Sequence, residues 1–208
     1  MRIVNAAFEI LDSIEATTIL KNIEKYGRVC YKSETTITED SAKSFVERLI
    51  KNGHESVIEH EKITVKFICD RGISHEIVRH RIASYSQEST RYCNYTKDKF
   101  GNELTFIKPV FWEDKSPEYN HWLNAMQYAE KCYFEMINLN VSPEQARSIL
   151  PSSLKTEIIV TMNLREWRHF FKLRTSSKAH PQMQELAIPL LLEFKKTIPV
   201  VFDDILLQ

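Results

Sequence analysis

Arginine and histidine are unevenly distributed along this chain of 208 residues. Eight of the 11 arginines lie within 71–91 and 147–174, whereas only two of the 17 lysines do. Six of the seven histidines fall within 54–80 or 169–180. A planar guanidinium can grip a phosphate or carboxylate through two parallel hydrogen bonds, which a lysine ammonium cannot do. The clustering therefore predicts a site for an anionic ligand, although any single arginine can equally well lie on a solvated helix face.

The densest run of polar binding groups is RHRIASYSQESTRY, at positions 79–92. If 71–80 is helical, Arg79 and Arg81 project roughly 200° apart and serve different neighbours. The hydroxyl-rich stretch after Ile82 has the composition of a loop, in which backbone N–H groups and hydroxyls can surround a phosphate without adding charge. A plain surface loop is the alternative. The arginines on either side favour the anion site.

A second basic segment, 163–174, has an aromatic stripe at helical spacing. The stripe consists of Trp167, Phe170, Phe171 and Arg174, at i, i+3, i+4 and i+7. Arg174 thus ends an apolar face, where a guanidinium needs an anionic or carbonyl partner, either a ligand or a buried carboxylate. Arg165 and His169 form a second polar pair four residues apart. Taken alone, such an aromatic face is more often protein core or a subunit interface than a cofactor site.

Several well-known active-site motifs are missing from the sequence. The histidines of HESVIEH at 54–60 are six residues apart, whereas a zinc-binding HExxH motif places them four apart on one helix face. An inverted HxxEH motif would need histidine at Ser56, so we expect no catalytic metal. No P-loop, GxSxG or GxGxxG occurs, and the chain has only 4 glycines. A bound nucleotide cofactor must therefore be held by side chains.

Composition indicates an ordinary globular protein. The 28 basic residues balance 28 acidic residues, 43% of residues are hydrophobic, and the pI near 7.1 argues against a general nucleic-acid coat. The longest apolar run, Leu186–Leu192, contains Pro189 and is far shorter than the roughly 20 residues that cross a bilayer. No signal-peptide segment precedes Glu9, and the four cysteines show no CxxC spacing. We expect a cytoplasmic protein with free thiols that binds neither membrane nor nucleic acid.

Periodicity predicts the elements that position these residues. The predicted helices are one between the cap candidate Thr38 and Gly53, one from about Pro117, one over Pro143–Leu150, and two near 164–175 and 181–196, the last interrupted by Pro189. The predicted strands are Glu61–Cys69 and Leu154–Met162. Without a repeat, linker or low-complexity segment, residues 1–208 are predicted to form a single α+β domain.

Four motifs follow one another in order. Arg79-His80-Arg81 is followed after seven residues by Ser89, and then by Arg91-Tyr92. The other three are HxSxxEH at 54–60, ARxxLP at 146–151 and NxRxxxHFxxLR at 163–174, the last followed by Ala179-His180. With these motifs, residues 50 to 190 resemble the flavin-dependent thymidylate synthases, the alternative thymidylate synthase family.

The resemblance implies a homotetramer of α+β subunits, each with helices packed on a small, largely antiparallel sheet. FAD and dUMP would be held where several subunits meet. Such enzymes take methylene from 5,10-methylenetetrahydrofolate and reducing equivalents from NADPH through FAD, and they release dTMP and tetrahydrofolate. No metal is implied, and neither a nucleic acid nor a membrane is a partner.

The resemblance also assigns individual residues. Those that would contact FAD are Ser56, Arg79, His80, Arg81, Gln87, Asn163, Leu164, Arg165 and His169. Those that would contact dUMP are Glu76, Ile77, Val78, Arg79, Gln87, Glu88, Ser89, Thr90, Arg91, Arg147 and Arg174. The Gln87–Arg91 segment would bind the phosphate.

Arg174 is the residue expected to carry the catalysis. Uracil C5 becomes nucleophilic, and C6 accepts hydride, only when negative charge can develop on the ring. A guanidinium is a hydrogen-bond donor and cannot act as a proton acceptor, so the role of Arg174 is expected to be electrostatic. Ser89 is expected to donate a hydrogen bond rather than to act as a nucleophile, because no histidine stands at a suitable spacing to activate it.

Three positions depart from the family pattern. Gln87 stands where glutamate is common, Glu76 where glutamine is common, and Thr90 where glycine is frequent.

Two other hypotheses compete with the enzyme: a nucleotide- or RNA-binding module without catalysis, and a degenerate homologue that keeps the fold for assembly alone.

Overall fold

A computed structural model describes residues 1–97 and 101–207. Its strands are β1 Arg2–Val4, β2 Ala7–Ile10, β3 Lys62–Asp70, β4 Ala83–Gln87, β5 Thr105–Ile107 and β6 Lys155–Asn163. The α-helices are α1 Ala16–Tyr31, α2 Ser41–Lys51, α3 Arg71–Ile77, α4 Pro117–Asn138, α5 Pro143–Ala146, α6 Leu164–Arg174, α7 Pro181–Thr197 and α8 Pro199–Phe202. Short 3-10 helices cover Glu34–Thr36, Glu55–His60 and Arg147–Ile149. The predicted α+β class is confirmed.

The larger sheet has four strands in the order β2-β3-β6-β4, and the smaller sheet pairs β1 with β5 in parallel. The N–H of Leu164 donates to the carbonyl oxygen of Glu61 over 2.9 Å, and the hydroxyls of Thr64 and Thr161 lie 3.0 Å apart. Partners with higher residue numbers in β3 therefore pair with lower residue numbers in β6, so the two central strands are antiparallel.

The described residues form two compact units, so a single domain over the whole chain stays a prediction. One unit comprises residues 1–7, 67–79 and 86–158. Its core is built around α4, whose first turn is capped by the Ser116 hydroxyl and begins with Pro117. The buried residues of this core are Tyr95, Leu104, Phe106, Trp122, Met126, Tyr133, Ala146 and Leu154.

The other unit comprises residues 8–66, 80–85 and 159–208, of which 159–207 belong to the described part of its last segment. Its core contains an aromatic cluster of Trp167, Phe170, Phe171, Phe194 and Phe202. The Trp167 indole N–H donates to the carbonyl oxygen of Ile63 over 2.9 Å. The three aromatic residues of the predicted stripe, Trp167, Phe170 and Phe171, are therefore core, whereas Arg174 at its end is half-buried.

Several predicted boundaries need correction. The stretch SYSQEST is not simply a loop, because residues 83–87 form β4. Its serines at 84 and 86 are exposed, whereas Ala83, Tyr85 and Gln87 are half-buried. The hydroxyl-rich outer face thus disguises an ordinary strand alternation.

Helix ends also differ from the prediction. Helix α3 stops at Ile77, so the projection of Arg79 and Arg81 from one helix does not apply. Helix α2 begins at Ser41 rather than directly after Thr38. Helix α5 ends at Ala146 and continues only as a 3-10 turn. Helix α7 runs through Pro189, which lies exposed while the opposite leucines pack in the core and hold the helix together.

The long helix α1, with Ile19 and Ile23 buried, was not predicted from the sequence.

Within 1–97 and 101–207, none of the helices combines the length and apolar character that a bilayer span requires.

Candidate functional site

Helix α6 and His80 form a connected polar group in the unit that contains residues 80–85 and 159–207. The Asn163 side chain caps the helix by accepting a hydrogen bond from the N–H of Glu166 over 2.8 Å. The Glu166 carboxylate lies 3.0 Å from Nδ1 of His80. On the other side of the ring, Nε of Arg174 donates to Nε2 of His80 over 3.2 Å. The imidazole thus bridges the two ends of α6.

These contacts fix the protonation of His80. Because the Arg174 Nε–H can only donate, Nε2 must carry the lone pair, and the proton must lie on Nδ1 where Glu166 accepts it. His80 is only 3% exposed, and this burial lowers its pKa below the ordinary value. The hydrogen bond to Glu166 opposes that shift and the charge of Arg174 adds to it. The ring is therefore neutral at physiological pH.

A cavity of about 450 Å³ opens beside this group. Its lining residues are Glu55, Glu59, Ile82, Asn163, Arg165, Glu166, His169 and Lys172. Three predicted FAD-binding residues, Asn163, Arg165 and His169, are thus brought to one cavity. The Arg165 guanidinium donates to the Glu59 carboxylate over 2.5 Å at the exposed rim. Cations, an imidazole and an amide suit phosphate groups, while the carboxylates can accept from ribose hydroxyls.

The other predicted FAD-binding residues differ in the solvent exposure of their side chains. Ser56 and Arg81 are exposed in the same unit. The Leu164 side chain is fully buried and its N–H is bonded to Glu61, so this residue offers no exposed side chain to a cofactor. Arg79 belongs to the other unit, where it is exposed just beyond α3.

The predicted phosphate-binding segment follows β4 in the unit that contains residues 86–158. The Ser89 hydroxyl accepts a hydrogen bond from the N–H of Arg91 over 3.3 Å, and the Ser89 carbonyl accepts from the N–H of Cys93 over 3.0 Å. These bonds define a tight turn over residues 89–93. The chain therefore makes a turn within the segment that is predicted to bind the phosphate.

Gln87 is held in one orientation at the end of β4. The Ser74 hydroxyl donates to the carbonyl oxygen of Arg71 over 2.9 Å, so its oxygen is left to accept. The Gln87 amide nitrogen donates to that oxygen over 2.8 Å and to the Thr156 hydroxyl over 3.2 Å. Its amide oxygen consequently points away from both hydroxyls. A carboxylate could not make the bond to Ser74.

The Glu88 side chain is engaged by two residues of the same unit. Its carboxylate accepts from the Tyr95 hydroxyl over 2.8 Å and from the Lys155 ammonium over 3.1 Å. Burial and the neighbouring Glu88 charge raise the pKa of Tyr95, so this hydroxyl stays a donor. The Glu88 side chain therefore anchors the turn, and its backbone N–H donates to the carbonyl oxygen of Glu157 over 2.9 Å.

The predicted phosphate-binding cations lie close to this turn. Arg147 donates from Nη1 to the Thr90 hydroxyl over 3.4 Å. Arg91 pairs with the Glu144 carboxylate over 3.2 Å, an exposed contact that a ligand phosphate can replace at little cost. Thr90 itself is buried, and its hydroxyl is the acceptor for Arg147.

The remaining predicted substrate residues end α3. The N–H of Arg79 donates to the carbonyl oxygen of Glu76 over 3.2 Å and closes the helix. Ile77 is fully buried, whereas Val78 is 38% exposed and Arg79 is exposed. Ile77 can therefore support this helix end but offers no exposed side chain.

Glu166 is the functional candidate that the sequence analysis missed. It lies 86 positions from His80, and no spacing rule connects them. Its one signal was an acidic residue between Arg165 and Trp167 on a helix otherwise rich in Arg and His.

Three side chains are close enough together to be considered as metal ligands. They are His80, Glu166 and His169, and one potential ligand atom of each lies within 4.8 Å of the others. Both ring nitrogens of His80 are already engaged, one of them by a guanidinium whose positive charge opposes a bound cation. The geometry is better explained as a hydrogen-bonded group, and the absence of a metal stays a prediction.

Comparison with known proteins places the sequence among relatives. The sequence profile of the family described as "Thymidylate synthase complementing protein" matches residues 13–200. The chain is 39% identical over 184 residues to a flavin-dependent thymidylate synthase of Pyrococcus furiosus, covering 88% of this chain and 75% of that protein. It is 34% identical over 185 residues to one of Geobacter sulfurreducens, covering 86% and 78% respectively.

A solved structure has a similar fold. The UMP/dUMP methylase PolB from Streptomyces cacaoi, bound with 5-Br dUMP, superposes with a TM-score of 0.78. The alignment covers 98% of this chain and 96% of that chain, at 22% sequence identity. At this identity the likeness supports the arrangement of helices and strands.

Proposed function

The chain belongs to the flavin-dependent thymidylate synthase family, and we propose that it converts dUMP to dTMP by reductive methylation. In the proposed reaction, 5,10-methylenetetrahydrofolate supplies the methylene group and is released as tetrahydrofolate, while the hydrogen on uracil C5 leaves as a proton. FAD, when bound in reduced form, would supply the hydride equivalent for the reduction, and NADPH would restore the reduced flavin. The observation that carries the proposal is the 163–174 motif, which faces a cavity with Asn163, Arg165 and His169 and holds Arg174 against His80.

We propose that the cavity beside α6 holds part of FAD. Arg165 and Lys172 provide cations for the pyrophosphate, and exchange of the exposed Arg165–Glu59 pair for a phosphate costs little. His169 and Asn163 add directional polar groups at the same wall. The donor set thus fits a dinucleotide without a glycine-rich loop.

We propose that the turn after β4 binds the phosphate of dUMP. Arg91 and Arg147 supply positive charge beside the turn over residues 89–93. The Gln87 amide oxygen, which points away from Ser74 and Thr156, is available as an acceptor for the nucleotide. Binding through the phosphate would orient the uracil for the chemical steps.

The role proposed for Arg174 is to stabilise negative charge on the uracil ring. Its guanidinium donates hydrogen bonds to the oxygen atom where charge develops, which favours nucleophilic attack by C5 and hydride acceptance at C6. Neither step needs an enzyme thiol. The four cysteines are all free thiols, and Cys69 is buried with its pKa raised to about 12, so it is not a nucleophile at neutral pH.

We propose that the active protein is a cytoplasmic homotetramer whose subunits share active sites. The exposed predicted ligands Arg79, Arg81 and Ser56 are then contributed to sites that neighbouring subunits complete. Cross-linking or light scattering of the purified protein tests the assembly separately from the chemistry.

The decisive test combines a spectrum with a product assay. Purified protein should be yellow or take up added FAD, and with dUMP, NADPH and 5,10-methylenetetrahydrofolate it should form dTMP. Omission of dUMP or of the folate provides the matched control. Protein that binds dUMP but forms no dTMP would favour the non-catalytic module, and colourless protein that never takes up FAD would contradict the proposal.

A further inference from the structure

We infer that Glu166 and His80 are positioning residues that orient the Arg174 guanidinium for the uracil ring. The inference rests on the proposed function, because it assigns a task to residues around the proposed catalytic arginine. Its physical basis is a continuous chain of hydrogen bonds from Glu166 through the imidazole to Nε of Arg174, with lengths of 3.0 and 3.2 Å.

The imidazole at the centre of this chain is held on several sides. The Tyr85 hydroxyl donates to the carbonyl oxygen of His80, and burial raises the pKa of Tyr85 to about 12, so it remains a donor. The ring of Phe170 lies 5.0 Å from the imidazole and that of His169 lies 5.4 Å away, measured between centroids. The acceptor offered to Arg174 is therefore fixed in place.

The bond to Nε determines how the guanidinium is oriented. A guanidinium is planar, and an acceptor that holds Nε–H restricts rotation of that plane at the end of a long, flexible side chain. The terminal nitrogens are thereby directed before substrate arrives. Preorganised donors stabilise developing charge without reorganisation during the reaction, which is where such an arrangement contributes to rate.

Glu166 has a distinct task, which is to choose the tautomer. With a carboxylate at Nδ1, the proton stays on Nδ1 and Nε2 accepts from Arg174. A neutral amide at the same place can instead donate to Nδ1 and allow the proton to move to Nε2. Two donors would then face each other between His80 and Arg174, and the orientation of the guanidinium would be lost.

The test is Glu166→Gln in the full-length protein, with Glu24→Gln as the matched control. Glu24 is buried, as Glu166 is, and its carboxylate accepts a hydrogen bond from Arg28. It lies on α1 and outside the proposed site. We expect Glu166→Gln to keep FAD, judged by its visible spectrum, and to lose about 10- to 100-fold in kcat for dTMP formation. The control is expected to keep the kcat of the unmutated protein even if its stability falls.

A pH profile separates positioning from a merely structural effect. The carboxylate of Glu166 favours protonated His80, while Arg174 and the nearby His169 oppose it. Glu166→Gln should therefore lower the plateau of kcat and also move its acidic limb to lower pH. An unspecific loss of packing would lower the plateau without moving the limb.

Three results would overturn the inference. They are a kcat within about twofold of the unmutated protein, loss of FAD at normal stability, and a lowered plateau with an unmoved acidic limb. If Glu166→Gln does not fold, Glu166→Asp decides, because its shorter side chain cannot reach Nδ1 and kcat should still fall about tenfold. An unmutated protein that forms no dTMP would refute the proposed function itself, whereas an active one with an unaffected Glu166 variant refutes only this inference.

Discussion

Nε of Arg174 lies 3.2 Å from Nε2 of His80, and this hydrogen bond joins the last residue of α6 to a residue 94 positions earlier in the chain. The bond requires a lone pair on Nε2. His80 must therefore be neutral for the contact to exist, and burial together with the charge of Arg174 keeps its pKa low. The contact couples the position of the arginine to the protonation of the imidazole.

The first prediction concerns stability against pH. Because the folded-state pKa of His80 is lowered, the unfolded chain binds more protons on this residue below its ordinary pKa of about 6.5. Its contribution to the free energy of unfolding is therefore complete above that pH and is lost as the pH falls below it. His80→Gln should show a smaller loss of stability between about pH 7 and pH 5 in urea unfolding. Glu166 and His169 remain in both proteins, so equal slopes would contradict the prediction.

The second prediction concerns Arg174. Arg174→Ala removes the proposed stabilising charge while leaving the cavity residues Asn163, Arg165 and His169 in place, so FAD binding should survive. The rate of dTMP formation should fall about 10²- to 10³-fold. Arg174→Lys is the matched control for charge alone, because an ammonium cannot supply the fixed Nε–H and the planar fork. Near-normal turnover of the alanine variant would refute the role given to Arg174.

Part of this site was predictable from the sequence. The 163–174 segment is a helix with an aromatic buried face, as its spacing predicts, and Arg165 and His169 do share a cavity. The bridge between Glu166 and Arg174 was not predictable, because its middle member comes from a distant segment whose position depends on tertiary packing. Local periodicity describes one element and says nothing about which loop packs against it.

The fold shows the same limit. Strand β3 alternates clearly between buried and half-buried residues, and its prediction is confirmed. Strand β4 was predicted as a loop because serines occupy its exposed positions and mimic loop composition. The short strands β1 and β5 form a parallel pair between segments about 100 residues apart. Such a pairing is decided by long-range contacts, which a single sequence does not reveal.

The third prediction tests the orientation of Gln87. Gln87→Glu places a carboxylate oxygen against the Ser74 hydroxyl, which already donates to Arg71 and can only accept. The partly buried hydrogen bond is lost, so the free energy of unfolding should fall by about 1–3 kcal/mol. The penalty should shrink in the background of Ser74→Ala, as measured by a double-mutant cycle in urea. Strictly additive effects of the two substitutions would show that the amide does not depend on Ser74.

The fourth prediction concerns a buried cation outside the proposed site. Arg168 is 1% exposed, and its guanidinium makes a bidentate pair with Asp204 at 2.6 and 2.7 Å. Asp204→Ala leaves Arg168 with fewer partners and should cost about 1.5–3 kcal/mol at neutral pH. Asp203→Ala, which removes an exposed carboxylate from the neighbouring residue, is the control and should change stability little.

The Asp204 contribution should also depend on pH. The hydrogen bond from Arg168 lowers the pKa of Asp204, so its stabilisation is present above the ordinary carboxyl pKa of about 3.8 and is lost as the pH falls through the folded-state value. The difference between Asp204→Ala and the unmutated protein should therefore shrink in strong acid. A difference that persists unchanged there would mean that packing, rather than charge, is responsible.

The most direct measurement of the central claim is a crystal structure of the protein with FAD and dUMP. We predict that the Arg174 guanidinium donates to the pyrimidine ring while His80 still accepts from its Nε. Arg91 and Arg147 should contact the nucleotide phosphate, and the flavin nucleotide should occupy the cavity lined by Arg165 and His169. A complex in which these guanidinium groups point into solvent, with both ligands bound elsewhere, would contradict the account.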